Sequence, residues 1–284
     1  MHSLQLPAQL TSVQVSKELS QGGQAKIYLG MYNEKQVAVK VFLKNDKRAD
    51  DEFCFLSKLV DCPHVMNAYD LLHNVSLETK FPLPVQAFAN QTCMMSELCR
   101  CDLYSIIEQK GAISDTHLLK GLFAQVVSAV DATHKAGICH LDIKLENFLV
   151  SQEFNLKLCD YGFAALLSKP ITTVLGTEGY MAPEVANEHS HYDGAKADIF
   201  SMGVLLYTMA FGNPPFGSTE DRFYRLLSKT PSRFFELHPR TKEAFKQGKI
   251  DLDLMELLLR TLHPKPDERI SVQGIKTCAF MRSS

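Results

Sequence analysis

From about residue 13 to residue 43 apolar and polar positions alternate, with Gly22, Gly23 and Gly30 as punctuation, and Gln36-Val37-Ala38-Val39-Lys40-Val41-Phe42 is rich in β-branched side chains. A period of two in such a setting predicts successive antiparallel strands. From Asp50 to Val60 the apolar residues Phe53, Phe55, Leu56, Leu59 and Val60 approximate helical spacing, and Cys62-Pro63 ends the stretch. Another strand-like stretch follows Phe81-Pro82-Leu83-Pro84 and runs to Leu98. Beyond Asp102 the period becomes helical, first in Leu103, Ile106 and Ile107 and then from Leu118 to Ala136. The change near residues 97–102 occurs without a Pro/Gly/Ser linker. It predicts an α+β chain whose strand-rich first third and helix-rich remainder form two lobes around a cleft, not independent domains. No internal repeat is visible.

The 284 residues weigh 31.9 kDa, enough to bury a core without disulfides or a structural metal. Thirty Lys and Arg against 32 Asp and Glu leave a net charge of −2, so nothing in bulk attracts nucleic acid or anionic lipid. Hydrophobic content of 45% and charged content of 22% exclude a disordered or collagenous chain. No apolar run approaches the roughly 20 residues of a membrane span, the longest being around Met202 to Phe211. The start, Met1-His2-Ser3-Leu4-Gln5-Leu6-Pro7, lacks a basic segment followed by an apolar one, and His2 excludes a myristoylation signal. A cytoplasmic or nuclear location is expected, neither secreted nor membrane-spanning. The eight cysteines show no Cys-x-x-Cys spacing and read as reduced thiols, and Cys99-Arg100-Cys101 lacks the further ligands of a zinc site.

Three acidic residues stand in informative surroundings: Asp142 in His140-Leu141-Asp142-Ile143-Lys144-Leu145-Glu146-Asn147, Asp160 in Asp160-Tyr161-Gly162, and Glu184 in Ala182-Pro183-Glu184. Preceded by a Gly-rich segment and by Val37-Ala38-Val39-Lys40, they resemble in order and spacing the eukaryotic protein kinase catalytic domain, over about residues 14 to 280. The resemblance implies a two-lobed fold: a small antiparallel β-rich N-lobe with one key helix and a larger, mainly α-helical C-lobe. The expected boundaries are an N-terminal extension at 1–13, the N-lobe at 14–96, a hinge at 97–102 and the C-lobe at 103–284, with Mg-ATP between the lobes. A monomer that phosphorylates Ser/Thr hydroxyls of protein substrates, with neither nucleic acid nor membrane as partner, is the implied activity. The alternative is a pseudokinase acting as an interaction scaffold, with or without nucleotide.

Phosphoryl transfer needs cations, metal-binding oxygens and an acceptor for the hydroxyl proton. By the resemblance Lys40 holds the α- and β-phosphates, and Glu52, the one Glu of the predicted helix, is its partner. Asp160 and Asn147 offer the hard oxygen ligands that suit magnesium. Asp142 orients or deprotonates the substrate hydroxyl, and Lys144 stabilises the transferred phosphoryl. Lys144, together with Gly176-Thr177-Glu178-Gly179-Tyr180, looks like the serine/threonine branch, with Thr177 bonded toward Asp142 and Lys144. Glu146 and Asp102 match acidic positions that in basophilic relatives face an Arg three residues before the phosphoacceptor. Asp198, in Asp198-Ile199-Phe200-Ser201-Met202-Gly203, is expected to bond the backbone around Asp142, and Arg269 to pair with Glu184. The stretch from Asn213 to His238 faintly resembles the calmodulin-dependent kinase branch.

The adenine site implied by the resemblance takes in Ala38, Glu97, Cys99 and Leu149, with Ser96 as a small residue guarding its rear. Departures concern the phosphate end. The Gly-rich loop aligns as Ser20-Gln21-Gly22-Gly23-Gln24-Ala25-Lys26-Ile27, retaining only the middle glycine, so Ser20 and Ala25 bring side chains toward the phosphates. Tyr161 replaces Phe, and its hydroxyl needs a partner. Leu141 replaces the Arg that in most members grips a phosphorylated activation loop, so Thr173 is not expected to be an obligatory switch.

Overall fold

The computed structural model describes residues 12–22, 25–43, 48–79, 89–186, 191–218 and 220–282. They fall into two compact units, one drawn from 1–60 and 66–99 and the other from 61–65 and 100–284.

The first unit contains strands β1 (Ser12–Gln21), β2 (Ala25–Tyr32), β3 (Lys35–Phe42), β4 (Ala68–Thr79) and β5 (Gln91–Ser96), and helix α1 (Arg48–Ser57). Strands β2 and β3 are joined by Asn33 and Glu34, both at positive φ (47° and 63°), the geometry whose twist matches a two-residue hairpin. The order β1-β2-β3-β5-β4 closes into a barrel because β1 also pairs with β4, Ser12 opposite Ser76 and Val13 opposite Leu77. The other four pairs of the barrel are antiparallel, as expected, and this closing pair is parallel. Its cause is the inward alternation of Val13 and Val15, which join Val39, Val75, Leu77 and Met95 in one core. Gly30 lies where β1 and β3 press closest: a Cβ there would meet Val39 Cγ2 at 2.5 Å and the Gln14 carbonyl at 2.8 Å.

Two corrections follow. Ser12 and Val13 belong to β1 and not to an extension ending at residue 13. The helix runs Arg48–Ser57 instead of Asp50–Val60, its end tightened by Lys58 N–H donating to Phe55 O and Leu59 N–H to Leu56 O.

The second unit begins with a sequence insertion from the first: Asp61–Val65 joins it, with Val65 bridging Leu158 and Leu158 N–H donating to His64 O at 2.9 Å. The N-lobe expected as continuous over 14–96 is thus interrupted. The chain passes from one unit to the other between Cys99 and Arg100, inside the expected hinge. Glu97 is tied within the first unit by exchange with Asn67 (N–H to O 3.0 Å, and Asn67 N–H to Oε1 2.7 Å), and Arg100 within the second by donation to Val150 O at 2.8 Å.

Small sheets in the second unit comprise β6 (Cys101–Asp102), β8 (Phe148–Val150) and β9 (Leu156–Leu158), and, separately, β7 (Ile138–Cys139) with β10 (Ala165–Leu166). The helices are α2 (Leu103–Lys110), α3 (Thr116–Lys135), α4 (Pro183–Ala186), α5 (Gly194–Phe211), α6 (Arg222–Lys229), α7 (Phe234–Leu237), α8 (Lys242–Lys246), α9 (Leu252–Thr261), α10 (Val272–Lys276) and α11 (Ala279–Arg282). Aspartates cap α2, α3, α5, α6 and α9 by accepting from backbone N–H groups of the first turn. Helix α5, the longest apolar run, is buried on all sides and packs against α3 and α9. Among the described residues no helix is long and apolar enough to cross a membrane.

Candidate active site

In the first unit Lys40 leaves the middle of the sheet on β3, and α1 presents Glu52 on the face that also buries Ala49, Phe55 and Leu56. The ammonium donates to both carboxylate oxygens of Glu52, at 2.7 and 2.8 Å, and Glu52 is 1% exposed. A carboxylate this deeply buried is tolerable only with such a charge beside it. Ser96 is buried at the end of β5, opposite Ala38 on β3 and Ala68 on β4, so small side chains surround it. Glu97 and Cys99, half-buried, follow it.

Ser20 and Gln21 are not loop residues: they pair with Ile27 and Lys26 in the β1–β2 ladder, and Gly22 N–H donates to Ala25 O at 3.0 Å. Ser20 and Gln21 are exposed, Ala25 is buried and Ile27 half-buried. Gly22 does not adopt positive φ, and a Cβ would meet nothing nearer than Ala25 O at 3.8 Å. What glycine provides there is open space. Gly23 and Gln24 lie outside the described residues.

In the second unit the segment from His140 to Asn147 is held from beneath by Asp198 of α5. Its fully buried carboxylate accepts from His140 N–H and Leu141 N–H, both at 2.8 Å, and from His134 Nε2 at 2.8 Å. These bonds hold Leu141 at φ 65°. His140 accepts the Asp142 N–H at Nδ1 (3.2 Å) and therefore donates from Nε2 to Cys159 O (3.0 Å), tying the residue before Asp160 to the segment carrying Asp142. Asp142 is 4% exposed, and three groups converge on its carboxylate. Thr177 donates to Oδ1 at 2.7 Å, Lys144 Nζ lies 2.8 Å from Oδ2, and the same ammonium donates to Thr177 Oγ1 at 2.8 Å. The acid, the lysine and the threonine thus form a closed triangle of charge-assisted bonds.

Asn147 donates from Nδ2 to Asp142 O (2.8 Å) and Oδ2 (3.1 Å), which fixes the amide so that its oxygen is turned to the other side. Cys159 N–H donates to Asn147 O at 2.9 Å, coupling the 3-10 turn Leu145–Asn147 to the exposed Asp160, which adopts a left-handed conformation (φ 61°, ψ 71°). An oriented amide oxygen and a carboxylate are hard donors of the kind magnesium takes, so this pair fits the divalent ion. Leu149 on β8 is half-buried, opposite Asp102 and Lys157.

Glu184 receives both guanidinium nitrogens of Arg269, at 2.5 and 2.6 Å. Arg269 also donates to His263 O, Lys196 O and Pro264 O and lies over the Phe200 ring at 5.0 Å, so every face of a side chain with no exposed surface is used. In the activation segment Thr173 is exposed; its carbonyl accepts from Tyr192 OH at 2.9 Å, and Tyr192 N–H donates to Ile171 O. Gly176 sits at φ 111° where a Cβ would come within 2.7 Å of Leu141 O. Asp102 caps α2, both carboxylate oxygens accepting from Ser105, N–H at 2.7 Å and Oγ at 2.9 Å. Glu146 is exposed.

Sequence reasoning missed two supports. The Tyr161 hydroxyl, 1% exposed, meets Thr133 Oγ1 of α3 at 2.7 Å, while Thr133 donates onward to Ala129 O at 2.9 Å. Burial pushes the phenol of Tyr161 up, so it stays a neutral donor. The signal was present, since a phenol in place of Phe requires a partner and Thr133 is the hydroxyl on the buried face of α3. Tyr192, which braces the loop at Ile171 and Thr173, carries no sequence signal. The thiols of Cys93 and Cys139 are each pushed up to about 12 by burial, and none of the eight cysteines is in a disulfide.

Residues 13–281 match the family described as the protein kinase domain. Among similar proteins, CBL-interacting protein kinase 25 of Oryza sativa subsp. japonica is 30% identical over 277 residues, covering 90% of this chain and 48% of that protein. CBL-interacting protein kinase 26 of the same species is 30% identical over 280 residues, covering 95% and 52%. A probable serine/threonine-protein kinase of Dictyostelium discoideum is 28% identical over 273 residues, 92% of this chain and 30% of the relative. The chain thus spans about half the length, or less, of these relatives.

Proposed function

Since the chain belongs to the protein kinase domain family, we propose that it transfers the γ-phosphoryl group of ATP to serine or threonine hydroxyls of proteins. The observation that carries the reading is the Asp142–Lys144–Thr177 triangle: a buried carboxylate, a cation and a hydroxyl at bonding distance from one another. Asp142 accepts the hydrogen bond of the substrate alcohol and aligns its lone pair for attack, taking the proton as the O–P bond forms. Lys144 neutralises charge on the transferred phosphoryl, and Thr177 keeps the lysine and the acid in register. Lys40, oriented by Glu52, serves the α- and β-phosphates. Asn147 and Asp160 hold magnesium, which when bound neutralises charge on the triphosphate.

In the first unit the small residues Ala38 and Ser96, opposite each other across the β3–β5 ladder, suit an adenine ring, with Glu97 and Cys99 offering backbone groups. Purified protein incubated with Mg-ATP and a generic Ser/Thr substrate should incorporate phosphate, and Lys40→Ala and Asp160→Asn should each lower the rate by about 10²-fold or more. Equal incorporation by wild type and both variants, or none by any while nucleotide still raises the melting temperature, would leave a scaffold.

A further inference from the structure

Positive charge is unevenly distributed along this chain. Residues 222–249 hold eight of its 30 Lys and Arg but two of its 32 Asp and Glu, so the remainder is distinctly acidic although the whole carries only −2. All eight bases are exposed. Arg222, Arg225 and Lys229 recur at one-turn steps on α6, opposite the buried Tyr224 and Leu227, and Lys242 and Lys246 do the same on α8. The elements pack on one another, α6 on α7 and α7 on α8. Arg222 and Arg240 both bear electrostatically on buried His238, so positive charge from α6 and from the α7–α8 turn reaches the same neighbourhood. Within the segment Glu236 takes Arg233 at 3.4 Å and Glu243 takes Lys246 at 3.7 Å, and Glu220, Asp221, Asp251 and Asp253 flank it, so the excess of positive charge lies along its middle.

This surface adjoins the acceptor end of the site. A cavity of about 260 Å³ is lined by Val174, Glu178, Gly179 and Met181 of the segment carrying Thr177, and by Phe216 and Ser218. Ser218 lies three residues before Asp221, the cap of α6. A polypeptide whose hydroxyl sits at Asp142 therefore reaches α6 within a short length of its own chain. Tyr224, Phe234 and Phe235 are buried in the core, and half-buried Phe223 is covered by the Arg222 guanidinium at 4.5 Å, so this face presents charge more than the open rings that stacking on nucleotides or insertion into lipid would need.

We propose that the exposed basic face of α6–α8 docks an acidic segment of the protein substrate, holding it while the acceptor is presented to Asp142. The proposal rests on the phosphoryl-transfer reading and adds to it the charge class of the substrate. Initial rates are measured on a short neutral Ser/Thr peptide and on the same peptide extended by a spacer and a run of Asp and Glu. At low ionic strength the extended peptide should have a KM about tenfold lower, an advantage lost in high salt, where charges more than roughly 3 Å apart are screened. Arg225→Glu/Lys229→Glu and Lys242→Glu/Lys246→Glu should remove the advantage while kcat on the short peptide stays unchanged. Equal KM for the two peptides in wild type, or an advantage that survives both charge reversals, would overturn the proposal.

Anisotropy of a labelled acidic peptide without Ser or Thr reads the surface independently of turnover. Binding that the reversals abolish, with no peptide phosphorylated, would sink the transferase reading and leave the docking surface standing. Binding of phosphatidylserine vesicles or a single-stranded oligonucleotide, but not of the acidic peptide, would reject the proposal and reassign the surface.

Discussion

The hydroxyl of Tyr161 and its support on Thr133 offer a test whose size differs between the two partners. The chain of bonds runs from Tyr161 OH to Thr133 Oγ1 at 2.7 Å and from Thr133 to Ala129 O at 2.9 Å, all buried. Removing the phenol oxygen in Tyr161→Phe deletes one bond but leaves Thr133 satisfied by Ala129, so the loss is about 0.5–1.5 kcal/mol. Thr133→Val keeps the shape but strands a phenol, at 1% exposure, with neither bonding partner nor water, and costs about 1–3 kcal/mol. In the double variant no orphan remains, so its loss should fall short of the sum of the single losses by about 1 kcal/mol. Chemical denaturation of the four proteins gives the cycle. Because Tyr161 follows Asp160, Thr133→Val should also raise the magnesium concentration needed for half-maximal activity, and Tyr161→Phe should do so less. Additive losses, or a Tyr161→Phe variant as damaged as Thr133→Val, would refute the reasoning.

Glu184→Gln leaves the unexposed Arg269 guanidinium with a neutral partner. It should destabilise by about 3 kcal/mol, the low end for a broken buried pair because Glu184 retains 17% exposure, read as a fall in the denaturation midpoint. His238 is buried, accepts from Tyr207 OH at Nδ1 and donates from Nε2 to Pro215 O, and burial holds its pKa below the usual value, opposed by the Pro215 hydrogen bond and Asp221 and reinforced by Arg240 and Arg222. Its folded pKa lies below the unfolded one, so its contribution is complete above about pH 6.5 and is lost as pH falls toward the folded value. His238→Gln should flatten the melting-temperature profile in that window, and an unchanged slope would contradict it. Thr173→Ala should keep most activity because only the backbone carbonyl of Thr173 is used, whereas Tyr192→Phe, which deletes the donor to it, should lower kcat; the reverse ranking would show a phosphorylated threonine at work.

Much of the second unit was legible because its chemistry is carried by short contiguous segments. Asp142, Lys144 and Asn147 lie within six residues, in a short segment that ends in the 3-10 turn Leu145–Asn147, so spacing and geometry are nearly the same statement. Helices α2 and α3 were legible for a similar reason, each following a capping aspartate with apolar residues on one face. Strand β4 was not. Its ladder to β5 shifts register between Ala68 and Asp70 and again between Leu72 and Val75, so the inward side switches along its length and no single period of two survives. The parallel closure of the barrel depends on that same strand, which is why it too was invisible. Asp61–Val65 lies at the Cys62-Pro63 stop after the predicted helix, and its place is set by a bridge from Val65 to Leu158, almost a hundred residues away.

Two of the departures from the family pattern have local answers in the structure, and they are answers of different kinds. Tyr161 introduces a polar atom into a buried site and is met by a single complementary hydroxyl from α3. Leu141 removes a cation, and the replacement is spread out: its side chain is buried, its N–H is bound by Asp198, and its carbonyl is approached so closely by Gly176 that only glycine fits. Downstream, Tyr192 binds the loop at Ile171 and Thr173. An arginine in this position makes order of the loop depend on a phosphate, since an unpaired guanidinium beside it favours neither arrangement strongly. Packing and backbone hydrogen bonds carry no such dependence. The bonds from Thr177 to Asp142 and Lys144 are therefore made in the unmodified chain, with no phosphate among them.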